Sequence, residues 1–130
     1  MTQTILAIDY GLARVGLAWG SLATGLVSGK TTVTNMPSLF DELESYIAEH
    51  AVDVLLVGLP RGLDGQETQQ TAICRQFAQQ LEVFNMPVYL RDEAGTSGLA
   101  KERLGKNPPK EQIDAESAAI ILEEYLHEQA

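Results

Sequence analysis

The run Thr4-Ile5-Leu6-Ala7-Ile8 offers no polar face. Successive side chains of a strand point to opposite sides, so a strand this apolar, rich in β-branched residues, is covered on both faces. That requirement selects a layered fold in which helices lie above and below a sheet. A second buried strand is read from Val52 to Gly58, stopping at Pro60.

The remaining elements follow from periodicity and turn chemistry. Val15 to Gly20 and Leu26 to Thr34 read as strands separated by Gly and Ser turns, a meander with the first strand in which Gly29 weakens the third strand or marks a bulge. After Pro37, Ser38 is placed to cap a helix whose first turn carries Asp41 and Glu42, with a stripe of Leu39, Leu43, Tyr46, Ile47 and His50. Ile73, Phe77, Leu81 and Phe84 mark a second amphipathic helix over roughly residues 67 to 84, and Pro87 to Arg91 makes a fifth strand. A short helix from Thr96 to Leu104, a break at Asn107-Pro108-Pro109 and a last helix from about Glu111 to His127 complete the chain. The order βββαβαβα predicts a single α/β domain over residues 1–130, with a five-stranded mixed sheet and helices on both faces.

The chain has 130 residues, enough for one core without staples, and its lone Cys74 cannot form an internal disulfide. Burial in a helix is the expectation for that thiol, and helix C-terminal positions account for His50 and His127. No apolar stretch approaches the length of a membrane span and no signal-peptide pattern opens the chain, so a cytoplasmic protein without membrane contact is expected. Eighteen Asp and Glu against nine Lys and Arg give a formal charge of −9, which opposes indiscriminate binding to phosphate backbones. Any recognition of nucleic acid must therefore be local.

Three groups of acids stand out. Asp9 ends the first strand on the face of Ile5 and Ala7, where an unpaired charge is costly, although a turn into Tyr10-Gly11 also accounts for it. Asp92 and Glu93 follow the fifth strand, and since neighbours point to opposite sides only one of them readily shares a cleft with Asp9. Asp114 falls in line with Ala118, Ile121 and Tyr125 on the packed face of the last helix, where the helix dipole alone also favours an acid. Three carboxylates from two strand ends and a helix form an oxygen-only site suited to Mg²⁺ or Mn²⁺. A pair of such ions activates water and stabilises the leaving oxygen in phosphodiester hydrolysis.

Ile8-Asp9-Tyr10-Gly11 followed by Arg14-Val15-Gly16-Leu17-Ala18 resembles the opening motif of the YqgF/RuvX family of bacterial Holliday-junction resolvases, also regarded as pre-16S ribosomal RNA nucleases. The similarity continues through Val57-Gly58-Leu59-Pro60 with Asp64-Gly65, then Phe77-Ala78 with Leu81, and Asp92-Glu93. Ile113-Asp114, Ser117 to Leu122 and Tyr125-Leu126 match the last helix, so essentially the whole chain is covered in order. The resemblance implies an RNase H-like fold related to the RuvC resolvases and a metal-dependent nuclease acting on precursor rRNA or branched DNA. It implies the set Asp9, Glu93 and Asp114 as catalytic metal ligands, with Asp92 as the alternate for the middle position.

Where the family continues its acidic pair with Arg and Leu, this chain has Ala94-Gly95, two residues that remove a cation beside the scissile group and introduce a glycine-containing loop. Lys101, Arg103, Lys106 and Lys110, four cations against Glu102, are the expected replacement, joined by Arg14 and Arg61 near strand ends. A monomer or homodimer working with the ribosomal or transcription machinery fits this reading. Two other readings use the same residues. One is a non-catalytic nucleic-acid or ribosome-maturation binding protein on the same fold. The other treats Asp9-x-Gly11 as the first phosphate loop of a sugar kinase or actin-like ATPase, which requires a second lobe that this chain does not supply.

Overall fold

The computed structural model describes residues 3–93 and 96–129, apart from the side chains of Thr96 and Ser97. The Ala94-Gly95 replacement lies outside the described residues. Five strands, β1 (Thr4–Tyr10), β2 (Arg14–Ser21), β3 (Leu26–Thr34), β4 (Val54–Pro60) and β5 (Val88–Glu93), form one sheet in the order β3-β2-β1-β4-β5. β1, β2 and β3 pair antiparallel, whereas β4 and β5 run parallel to β1. The sheet is mixed as the order of elements predicts. The C-terminal ends of β1, β3, β4 and β5 consequently gather along one edge, together with the start of β2.

The two faces divide the helices. Leu6, Ile8, Val15, Leu17, Leu55 and Val57 pack under α1 (Leu39–Glu49) and α2 (Gln69–Gln80) through Leu39, Leu43, Phe77 and Ala78. Their neighbours in the strands, Ile5, Ala7, Ala18, Val54 and Leu56, pack under α4 (Lys110–Glu128) through Ala118, Ala119, Ile121, Leu122 and Leu126. This is the period-two consequence of a strand apolar on both sides. The short α3 (Thr96–Leu104) lies against α4.

Local details refine the sequence reading. Ser38 occupies the N-cap position of α1 without making a side-chain cap bond. The second helix stops at Gln80 and continues as a 3-10 turn over Leu81–Phe84, closed by Asn85 in the left-handed region at φ 52. The irregularity near Gly29 is a register shift of β3 against Trp19 and Gly20, and Gly29 lets the Trp19 indole lie across β3, because a Cβ there would run into the ring at 2.5 Å. That indole stacks on His50, the C-cap of α1, at 4.3 Å. Cys74 is buried beside the Tyr10 carbonyl, and burial pushes its thiol up to about 11, which makes it inert.

Candidate active site

A row of residues crosses the sheet where β1 ends: Thr32 on β3 pairs with Gly16 on β2, and Gly16 pairs with Asp9 on β1. The first turns of α4 lie on this row. The Thr32 hydroxyl donates to the Glu111 carbonyl, and the backbone of Asp114 sits on Gly16 so closely that any Cβ there would collide with the Asp114 carbonyl. Gly16 thus sets the helix at the depth that brings Asp114 beside Asp9. Sequence reasoning quoted Gly16 only as part of a motif and missed this role, since a lone glycine in a strand says that something approaches but not what.

Asp9 lies on the α4 face with Ile5 and Ala7, and its carboxyl is pushed up to about 6, first by burial and then by the negative charge of Asp114. Among the described residues it takes part in no ion pair. Asp114 does: Arg14 at the start of β2 donates from Nε to Oδ2 at 2.6 Å. A half-buried acid raised by burial and by its acidic neighbour, and that neighbour paired with an arginine, are a hard oxygen site with the chemistry a divalent cation suits.

The middle acid is split by the strand. β5 extends to Glu93, so Asp92 and Glu93 alternate faces as period two demands. Glu93 turns to the α4 side and is 8% exposed. There a Cβ on Gly58 would meet both its Cγ and the Ile121 side chain. Arg91, two residues back on the same face, donates to it at 2.6 Å and also pairs with Glu128. Burial and the nearby Glu124 hold the Glu93 carboxyl above the ordinary range while Arg91 pulls it down. Asp92 points the other way, with its side chain 67% exposed and paired with Arg61 at 2.8 Å.

Glu93 stands two strands away from Asp9, about 10 Å across the sheet. Among the described residues no group of three His, Cys, Asp or Glu side chains is arranged to hold an ion. The Asp9–Asp114 pair fits a cation, and the complete three-acid set is not assembled in this arrangement.

The cations also sort themselves. Arg14, Lys101 and Lys110 line one cleft of about 510 Å³ together with Asn107 and Asp114. The turn between α3 and α4 shapes its wall through the left-handed residues Gly105 at φ 87 and Asn107 at φ 54, positions whose backbone role the sequence reading did not identify. Lys106 is exposed in the same turn. Arg103 turns inward to Glu123 at 2.8 Å and to the buried Glu116, which Lys30 also neutralises. Arg61 lies on the α2 side of the sheet, with Asp92 and Glu67. Of the six cations singled out from the sequence, the structure gathers three around Asp114.

A family model described as RuvX, Holliday junction resolvase, matches residues 3–128. A protein of Colwellia psychrerythraea named "Putative pre-16S rRNA nuclease" is 35% identical, over 98% of this chain and 91% of its own length. One of the same name from Actinobacillus pleuropneumoniae serotype 5b is 37% identical, over 99% of this chain and all of its own. Among solved structures, Thermus thermophilus RuvC overlays with a TM-score of 0.57 at 13% identity, covering 97% of this chain and 95% of that one. At that identity the likeness establishes a shared RNase H-like fold and no more.

Proposed function

The chain belongs to the RuvX family, and from that premise we propose that it is a divalent-metal-dependent endonuclease, acting on the 5′ end of precursor 16S rRNA or on four-way DNA junctions. The observation that carries this reading is the close approach of α4 at Gly16, which sets Asp114 beside the half-buried Asp9 at the rim of a cationic cleft. Family membership implies a divalent ion in general, and the oxygen-only donors favour Mg²⁺ or Mn²⁺. Asp9 and Asp114 would hold it, with Glu93 as the third ligand once its side chain leaves Arg91. The ion, when bound, supplies an activated water and charge for the leaving oxygen.

This chain's own residues would do the rest. Lys101 and Lys110 would hold the phosphate backbone along the cleft, Arg14 would reach the phosphate nearest Asp114, and Gly16 would keep the two acids in register. The proposed setting is the cytoplasm, alongside the ribosomal or transcription machinery.

Cleavage of a precursor 16S rRNA fragment and of a four-way junction in Mn²⁺, with protein free of host nucleases, tests the reading. The parent should cut one of them, and an Asp9→Asn variant should not. Equal cutting by both would remove Asp9 from the chemistry. The separation of Glu93 from the other two acids favours a second reading, a non-catalytic binding protein of the same fold. Tight binding of either substrate without cleavage under any divalent ion is its expected signature.

A further inference from the structure

Two of the three acids are held by arginines at the same distance, 2.6 Å, and the two arginines differ in what else they touch. Arg91 also binds Glu128 and approaches Glu124, so it is anchored on both sides. Among the described residues Arg14 has Asp114 as its sole acidic partner, and it borders the open cleft in which Lys101 and Lys110 already concentrate positive charge. A guanidinium that donates to Asp114 Oδ2 engages one of the two carboxylate oxygens and offsets the charge that would attract a cation, so the two compete for the same acid.

We propose that Arg14 is an electrostatic latch that competes with the divalent cation for Asp114, and that a backbone phosphate entering the cleft draws Arg14 away and opens the carboxylate to the ion. The inference rests on the reading of Asp114 as a metal ligand. Its physical content is an exchange of partners. Without substrate, Arg14 neutralises Asp114 beside the otherwise unpaired charge of Asp9. With substrate, the phosphate takes the planar guanidinium, for which its geometry is as good as a carboxylate's, and the ion takes the acids. Cation and nucleic acid therefore bind with positive coupling, and linkage makes that coupling the same whichever binds first.

Mn²⁺ binding to the full chain, measured by calorimetry in the absence of nucleic acid, separates the possibilities. Arg14→Gln should bind Mn²⁺ about two- to fivefold more tightly than the parent, as expected for removing a partly exposed competing ion pair. Arg14→Lys, which keeps the charge but loses the planar fork, should fall between them, and it serves as the working variant if the Gln form is unstable. A merely structural arginine would leave the affinity unchanged or lower it, and either result overturns the latch. Asp114→Asn decides the underlying reading: if it binds Mn²⁺ as the parent does, Asp114 is no ligand and both fall together. If it loses binding while Arg14→Gln matches the parent, the metal reading stands and the latch alone fails. With a phosphorothioate oligodeoxynucleotide followed by fluorescence anisotropy, the factor by which Mn²⁺ tightens binding should shrink in Arg14→Gln, and an equal factor in both proteins overturns the coupling.

Discussion

The backbone of Asp114 rests on the bare Cα of Gly16, the residue paired with Asp9 across the β1–β2 ladder. The contact is backbone against backbone, so it cannot be relieved by a side-chain rotation. Gly16→Ala should lift the start of α4, cost about 1–3 kcal/mol of stability and weaken Mn²⁺ binding by moving Asp114 from Asp9. Gly29→Ala is the comparison, because the atoms nearest its Cβ belong to the Trp19 ring, and a side chain can turn aside. Urea unfolding with Mn²⁺ titration of both variants checks this: loss of metal affinity is expected in the first and not in the second.

Asp9 makes the fold less stable as pH rises. Its folded carboxyl keeps a proton up to about 6, while the unfolded group releases its proton near the ordinary aspartate value of 3.8. Between those values the folded state binds more protons, so raising pH through the window destabilises it, and the loss is complete above about pH 6. Asp9→Asn removes the buried charge and should be more stable than the parent by about 1–3 kcal/mol at pH 7.5 in EDTA. The difference should disappear below about pH 4. Unfolding curves at both pH values decide it, and a variant less stable than the parent at pH 7.5 would show that the Asp9 charge is compensated in the fold.

Alternation along β5 sends the two neighbouring acids to opposite faces of the sheet. Asp92 is exposed on the α2 side and engaged by Arg61, an ion pair worth at most about 1 kcal/mol. Asp92→Asn should leave cleavage within about twofold and stability nearly unchanged, whereas Glu93→Gln should lower cleavage about tenfold or more. Single-turnover rates in Mn²⁺ test the pair, and the reverse order would place the working acid on the other face.

This choice shows where sequence reasoning reached and where it stopped. The apolar run from Thr4 marked β1 as a strand covered on both faces and put Asp9 at its end, because both follow from the local pattern. The apolar pattern of the fifth strand stops at Leu90, yet the strand continues to Glu93 through its ladder with Leu59 and Pro60, a long-range pairing that composition does not signal. Only once the strand runs that far does the side facing α4 follow. The structure divides the charge cluster after Thr96 between two faces for a similar reason. Arg103 and Lys101 are two residues apart, and a helix sends such positions to different faces, but only the packing of α3 on α4 says which side meets Glu116 and which meets the cleft.

That division predicts opposite outcomes for cations that look alike in the sequence. Lys101 and Lys110 border the cleft and would neutralise phosphates, so replacing both with Ala should weaken oligonucleotide binding and flatten its dependence on salt. For two lost contacts the slope of log K against log [salt] should fall by about 1.4 on a single strand and about 1.8 on duplex DNA. Arg103 instead joins Glu116 and Glu123 and ties α3 to α4. Burial works against ionisation of Glu116, but Lys30 and Arg103 hold its carboxyl below the ordinary range. Arg103→Ala takes away one of these cations and should lower stability by about 1 kcal/mol at neutral pH. A group with a lowered folded pKa contributes stability above its unfolded value and loses it as pH falls through the folded one, so the difference from the parent should fade in acid. The salt slope of Arg103→Ala should match the parent's. Anisotropy titrations from 50 to about 200 mM salt compare the two variants, and a slope that flattens in Arg103→Ala but not in the double lysine variant would move the nucleic-acid contact from the cleft to the outer side of α3.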